Sequence, residues 1–214
     1  MLFRSSRVIW GARISLYVGV ISVTMAVVIG VTLGLLAGYH GGLVDDVIAR
    51  LLDIVFAFPT ILLALGIVGM LGSSLTNTMI AIGVVYTPIY ARLARGTTLA
   101  VKEREFVEAA VVSGARAARI IVRHILPNVM APLIIQTSLN LSLAILAEAS
   151  LSFLGLGTQP PDPSWGTMVN TGQALIELSP WPVVFPGLAI VLAVLAFNLI
   201  GDGLRDALDP RLRT

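Results

Sequence analysis

Between Asp53 and Arg92 the chain runs 38 residues without a charged side chain. As one helix this stretch would be about 57 Å long at 1.5 Å per residue, while the hydrocarbon core of a bilayer is only about 30 Å thick. It therefore has to turn back. Gly72-Ser73-Ser74-Leu75-Thr76-Asn77 marks the turn, because glycine and small polar residues interrupt the apolar pattern there. One run thus yields two membrane spans, near 54–71 and 78–99.

The other spans follow from the same reasoning. Ile14–Tyr39 is uncharged for 26 residues, too long for the roughly 7–15-residue core of a secretory signal. A fourth span covers about 128–152 and holds one carboxylate, Glu148. A fifth covers about 183–201. Only 12% of the residues are charged and 57% are hydrophobic, whereas a soluble domain carries about 25% charged residues. Backbone groups in lipid must be bonded within their own segment, so the spans are helices. The fold expected is all-α, a single polytopic membrane domain over 1–214 with about five transmembrane helices. Cysteine is absent, which removes disulfides and thiolate metal sites.

Lysine and arginine set the orientation. Arg4, Arg7 and Arg13 are the 3 on one side, because the 72–77 turn and the 155–182 loop have none. The other side holds 11: Arg50, then Arg92, Arg95, Lys102, Arg104, Arg116, Arg119 and Arg123, then Arg205, Arg211 and Arg213. That second side is cytoplasmic. In the outer 155–182 loop, TQPPDPSWG puts prolines in place of helix, and Trp165 and Trp181 suit interfacial positions. The three N-terminal arginines fall on the wrong side, as they would if a further span preceded Met1.

The cytoplasmic segment 101–127 is unusually charged for so apolar a chain. Two short amphipathic helices are expected in it. Phe106, Ala109, Ala110 and Ser113 fall on one face at helical spacing and are mostly small, so another surface could approach closely. Glu105 and Glu108 share a neighbouring face. Gly114 ends the first helix in the left-handed conformation. Arg116, Arg119 and Arg123 form a basic stripe on the second, and Pro127 starts the next span, where its missing amide hydrogen costs nothing. Spacing alone leaves two occupants open for this hairpin: anionic lipid headgroups or a protein partner.

The pattern as a whole resembles the EAA loop of binding-protein-dependent ABC importer permeases, E-A-A-x3-G-x9-I-x-L-P, with Glu108, Ala109, Ala110, Gly114, Leu126 and Pro127 matching and His124 standing where an apolar residue is usual. GARISL, GGLVDDVIARLLDIVFAFP, RHILPN, EASLSFLGLG, PSWG and FNLIGDGLRDALDPRLR are similar to the dipeptide, oligopeptide and nickel branch, in the same order along the chain. The resemblance implies that 101–127 is a coupling loop docking into a groove on a cytoplasmic ATPase subunit. It also implies a second permease subunit, two ATP-binding subunits, an extracytoplasmic solute-binding protein and surrounding lipid as partners, with no nucleic acid. The setting would be a bacterial or archaeal cytoplasmic membrane. The solute would be a peptide or a related molecule, and branch members carry one more span upstream.

Catalysis is not expected of this chain, nor a cofactor or a metal. A phosphate-binding loop needs G-x-x-x-x-G-K-[ST], and the only lysine, Lys102, has no glycine-rich segment before it. His40 and His124 lie at membrane edges, far apart, and Asp53 and Asp202 sit at cytoplasmic ends as solvated caps. Polar residues inside the membrane are functional candidates. Glu148 reads either as a side chain reaching the outer interface or as a solute contact. Gln136 and Asn140 are expected to bond between helices. Pro59 and Pro186 are expected to kink theirs. The rival function is a secondary transporter or channel, which calls for internal repeats and a midplane coupling carboxylate. An assembly factor would need only the docking loop.

Overall fold

A computed structural model describes residues 2–208, with side chains from Ser6 onward. Arg211, Arg213 and the last residues of the FNLIGDGLRDALDPRLR motif lie outside the described residues, as does the side chain of Arg4. All the regular elements among those described are helical: α1 (Leu2–His40), α2 (Gly42–Phe56), α3 (Thr60–Leu71), α4 (Leu75–Lys102), α5 (Glu105–Val112), α6 (Ala117–Ile120), α7 (Leu126–Phe153), α8 (Trp165–Gln173) and α9 (Trp181–Leu208). A π-helical turn, Ile121–Ile125, joins α6 to α7.

Among the described residues three continuous stretches are long and apolar enough to cross a bilayer, Ser6–His40, Ala117–Phe153 and Trp181–Leu208, and the bent pair α2–α3 is so as one broken segment. The helix α4 is as long as α9 but less uniformly apolar, because it carries Arg92, Arg95 and several hydroxyls. It can, since it is the most enclosed helix, with Tyr90, Ala91 and Ala94 fully buried.

The closest packing is α1 against α4, and its cause is a glycine ladder. Gly30, Gly34 and Gly38 recur every fourth residue and so share one face of α1. A Cβ at Gly30 would lie 2.5 Å from the Thr87 carbonyl oxygen, and one at Gly38 would lie 2.8 Å from the Thr98 Cβ. At Gly34 it would collide with the Ala91 carbonyl and the Ala94 Cβ. Small residues at this spacing let helix backbones approach in a membrane. The GVTLGLLAG run carries this signal within the first span.

The 54–71 stretch is not one helix. The helix α2 ends at Phe56, and α3 starts at Thr60 after a turn through Ala57-Phe58-Pro59, with 90° between the two axes. Pro59 therefore separates two helices instead of kinking one, consistent with the extended backbone favoured before proline and its fitness to start a helix. Asp53 is no free cap. It pairs with Arg92 at 2.7 Å, and Asp45 receives both Nε and Nη2 of Arg95 at 2.5 Å. Those bonds hold the Asp45 carboxyl below its ordinary range. At the outer turn, Ser74 caps α4 by accepting the Asn77 amide, and the Asn77 side chain caps the end of α3 through the Leu71 and Gly72 carbonyls.

The 155–182 loop is more ordered than its prolines suggest, because it contains α8. Ser164 accepts from the Thr167 amide, and the Thr167 hydroxyl bonds back to the Ser164 amide, closing a capping box. Trp165 turns inward to the protein. It is 4% exposed and packed onto α1. Trp181 is exposed and stacks on Phe185, as an interfacial ring can.

Candidate functional site

The α5 helix is held to the body chiefly by Val107, which is 1% exposed, while Phe106, Val111 and Val112 of the same helix are exposed. Glu105 and Glu108 occupy its first turn, where carboxylates complement the helix dipole. The helix ends as Gly114 requires. That residue adopts φ +76°, the Ala115 amide returns to the Ala110 carbonyl at 3.1 Å, and the Gly114 amide to that of Val111 at 2.9 Å. This pair of bonds is the Schellman arrangement, and it turns the chain sharply toward α6.

Pro127 stands in the first turn of α7, but no loop precedes it. The helical path continues from Ala117 through the π turn into α7, ending at Phe153. The wider turn falls where Pro127 offers no amide hydrogen to the carbonyl four residues earlier, and the Leu126 amide bonds instead to Ile121. The second helix of the 101–127 segment and the fourth span are thus one rod. Along it Ile120, Ile125 and Val129 are buried and fix its rotation against the body.

The π turn also changes the arginine pattern. Arg116 precedes the helix in extended conformation, so the expected three-residue stripe reduces to Arg119 and Arg123. Those two, with His124, line an open concavity of about 470 Å³. Phe106, Ala109, Ala110, Ser113, Gly114 and Ala115 complete its lining. The small face anticipated on α5 therefore lines an open recess that Arg119 and Arg123 also line. Glu105, Glu108, Arg116, Leu126 and Pro127 lie outside it. Leu126 packs on the core, and the others are exposed.

The intramembrane polar residues are placed differently from expectation. Gln136 donates to Asn140 at 3.1 Å along α7 itself, not between helices. The bond between helices is made by Ser142, whose hydroxyl reaches both the Val194 carbonyl and Asn198 of α9 at 3.1 Å. Asn140 is fully buried beside the Tyr90 hydroxyl of α4, though among the described residues neither its amide nitrogen nor that hydroxyl completes a hydrogen bond. Glu148 neither reaches the interface nor faces an open path. It is fully buried and accepts from Ser152 at 2.7 Å, with Ser15 of α1 and Ser164 of the outer loop beside it. Thus GARISL, EASLSF and PSWG meet at one point, which their separation in sequence concealed.

Among the described residues no group of three or more His, Cys, Asp or Glu is placed to hold a metal. A family model described as "binding-protein-dependent transport system inner membrane component" matches residues 30–214. The chain is 51% identical over 209 residues to the dipeptide transport system permease protein DppC of Alkalihalophilus pseudofirmus, covering 98% of this chain and 69% of that protein. It is 48% identical to the glutathione transport system permease protein GsiD of Pectobacterium atrosepticum, with the same coverage of both chains. A solved structure of the MetNI methionine ABC transporter, in an inward-facing conformation, superposes with TM-score 0.77 over 96% of this chain and 97% of that one. At 18% identity that likeness is one of fold.

Proposed function

The chain belongs to the family of binding-protein-dependent transport system inner membrane components, and from that membership we propose that its 101–127 segment couples solute passage to a separate ATPase subunit. The chain is a permease subunit of an ABC importer. The observation that carries the coupling role is the recess on α5, lined by Ala109, Ala110 and Gly114 and by Arg119, Arg123 and His124. A lining of small residues admits a protruding helix or loop from a partner. The two arginines favour a partner bearing carboxylates.

The mechanism rests on the rod from Ala117 to Phe153. At 1.5 Å per residue it is roughly 55 Å long, with the recess at its cytoplasmic end and Glu148 near its outer end. A partner that closes against the recess pushes one end of a stiff lever. The other end is tied to α1 and the outer loop through the cluster of Ser15, Ser152 and Ser164 around Glu148. Two packings of such a bundle would expose the solute path alternately to each side. Gln136, Asn140 and Tyr90, midway along, are the polar groups best placed to change partners between the two.

The relatives' names put peptides and glutathione forward as solutes, and a peptide or a closely related solute is proposed here. A second permease subunit, two ATP-binding subunits, an extracytoplasmic solute-binding protein and a bacterial cytoplasmic membrane complete the proposal. The test is uptake of labelled dipeptides and glutathione by vesicles carrying the assembled transporter, with and without ATP inside the ATPase-facing compartment. Uptake that is ATP-dependent and needs the binding protein is the expected result. Uptake by this chain alone, driven by an ion gradient, would favour the secondary-transporter alternative.

A further inference from the structure

We propose that α2 is not part of a membrane span but an in-plane helix bedded in the inner lipid leaflet. Three independent features of its geometry converge on this.

The first is direction. Asp45 and Asp53 on α2 are eight residues apart, about 12 Å along the helix, yet their partners Arg95 and Arg92 are three residues apart on α4, only about 4.5 Å. A helix that advances so little along its neighbour while covering that length crosses it steeply. Since α4 runs alongside the long apolar α1, from Gly83 against Ser22 to Thr98 against Gly38, a helix that crosses α4 steeply lies close to the membrane plane. The 90° bend into α3 agrees, because it returns α3 to the direction of α4.

The second feature is depth. Arg92 and Arg95 lie 17 and 20 residues from the outer end of α4 at Leu75, roughly 25–30 Å down at helical rise, which matches the ~30 Å hydrocarbon thickness. The α2 helix therefore lies at the inner boundary. The α3 helix, 12 residues long, is about 18 Å, and the Ala57-Phe58-Pro59 turn adds up to about 10 Å, so the two together reach from the outer turn down to α2.

The third feature is a three-way division of the α2 surface. Asp45, Ile48, Ala49 and Leu52 turn toward the body and are half or fully buried. Asp46 and Arg50 make a narrow exposed polar strip. Opposite the body, Leu43, Val47, Leu51 and Ile54 are 56–83% exposed. An apolar strip beside a charged strip, both parallel to the axis, suits a helix lying where hydrocarbon meets water. The charged strip carries both signs, so apolar burial and not attraction to anionic headgroups is what holds it there.

The test uses the natural absence of cysteine. Single cysteines at Val47, Leu51, Ile54, Asp46 and Arg50 are labelled with a small environment-sensitive fluorophore in the assembled transporter. The probes are phosphatidylcholine–phosphatidylglycerol vesicles containing lipid brominated near the headgroup end of the acyl chain, and aqueous iodide. At 47, 51 and 54 lipid quenching should exceed iodide quenching several-fold, and at 46 and 50 the order should reverse. Transport by each variant, set against the cysteine-free parent, confirms assembly. Labels at 47, 51 and 54 shielded from both quenchers would mean that a protein partner covers this face, and the proposal fails. Quenching that is strongest for lipid brominated at the chain end would mean that α2 spans, and the proposal fails equally.

Discussion

Trp165 donates its indole N–H to the backbone carbonyl of Val8, 157 positions away in sequence, at 3.0 Å. The Trp165 amide meanwhile reaches the Ser15 hydroxyl at 3.3 Å. One residue of the outer loop is thereby tied twice to α1, directly above the buried Glu148. Trp165→Phe removes the indole bond and leaves most of the packing, and should cost about 1 kcal/mol. Trp165→Ala also opens a cavity and should cost about 3–5 kcal/mol. Proteolysis of the 155–182 loop in sealed vesicles checks the ranking. Equal resistance of the two variants would contradict the tie.

Gly34 faces the Ala91 carbonyl and Ala94 with no space for a side chain. Gly34→Val should therefore force α1 and α4 apart, at about 1–3 kcal/mol for overpacking or more where backbone must move. Gly66, by contrast, has nothing near it. Thermal inactivation in detergent should separate the two: Gly34→Val lowers the midpoint clearly, and Gly66→Ala leaves it nearly unchanged. A Gly34→Val variant as stable as its parent would mean that the α1–α4 contact is looser than described.

The sequence made some of this visible and hid the rest for definable reasons. Gly114 was legible because the need for positive φ is local, and a single residue type answers it. The turn at 72–77 was legible because small polar residues stand out in an apolar run. The bend at Ala57-Phe58-Pro59 was not, since Ala57 and Phe58 are as apolar as a span requires and only Pro59 hints at a break. The Glu148 cluster was hidden for another reason. That carboxyl is enclosed by Ser15, 133 positions earlier, and by Ser164, which the loop after α7 folds back onto it. Likewise the pairing of Asp53 with Arg92 depends on how steeply α2 crosses α4, which no periodicity encodes.

Gly114→Val places a β-branched side chain at φ +76°, a conformation costing roughly 1–2 kcal/mol for an L-residue. The strain falls on the turn that fixes the α5 side of the recess. Recovery of the ATPase subunit with the purified permease should drop while membrane insertion persists. Arg119→Glu, which reverses a charge lining the recess without touching the turn, should weaken recovery in a salt-dependent way. Full recovery with both variants would remove the recess as the coupling element.

The last prediction concerns orientation. The positive-inside bias, 11 basic residues against 3, puts Ser113 at the α5–α6 turn in the cytoplasm, and Ser73 and Glu177 outside. Ser73 is a better reporter than its neighbour Ser74, whose side chain caps α4. Glu177 lies in the exposed segment between α8 and α9. With no native cysteine to give background, single cysteines at these positions can be probed with a membrane-impermeant maleimide. In intact cells Ser73→Cys and Glu177→Cys should label, and Ser113→Cys should label only after permeabilisation. The two outer sites test different things. Ser73 follows α3, which is too short to span alone, so its labelling requires α4 to cross and the α2–α3 bend to lie on the inner side. Glu177 follows α7, so its labelling requires the rod from the recess to traverse the full bilayer. Labelling of Ser113 and Glu177 from the same side would mean that the rod does not cross, and the lever by which the recess acts on the outer cluster would be lost with it.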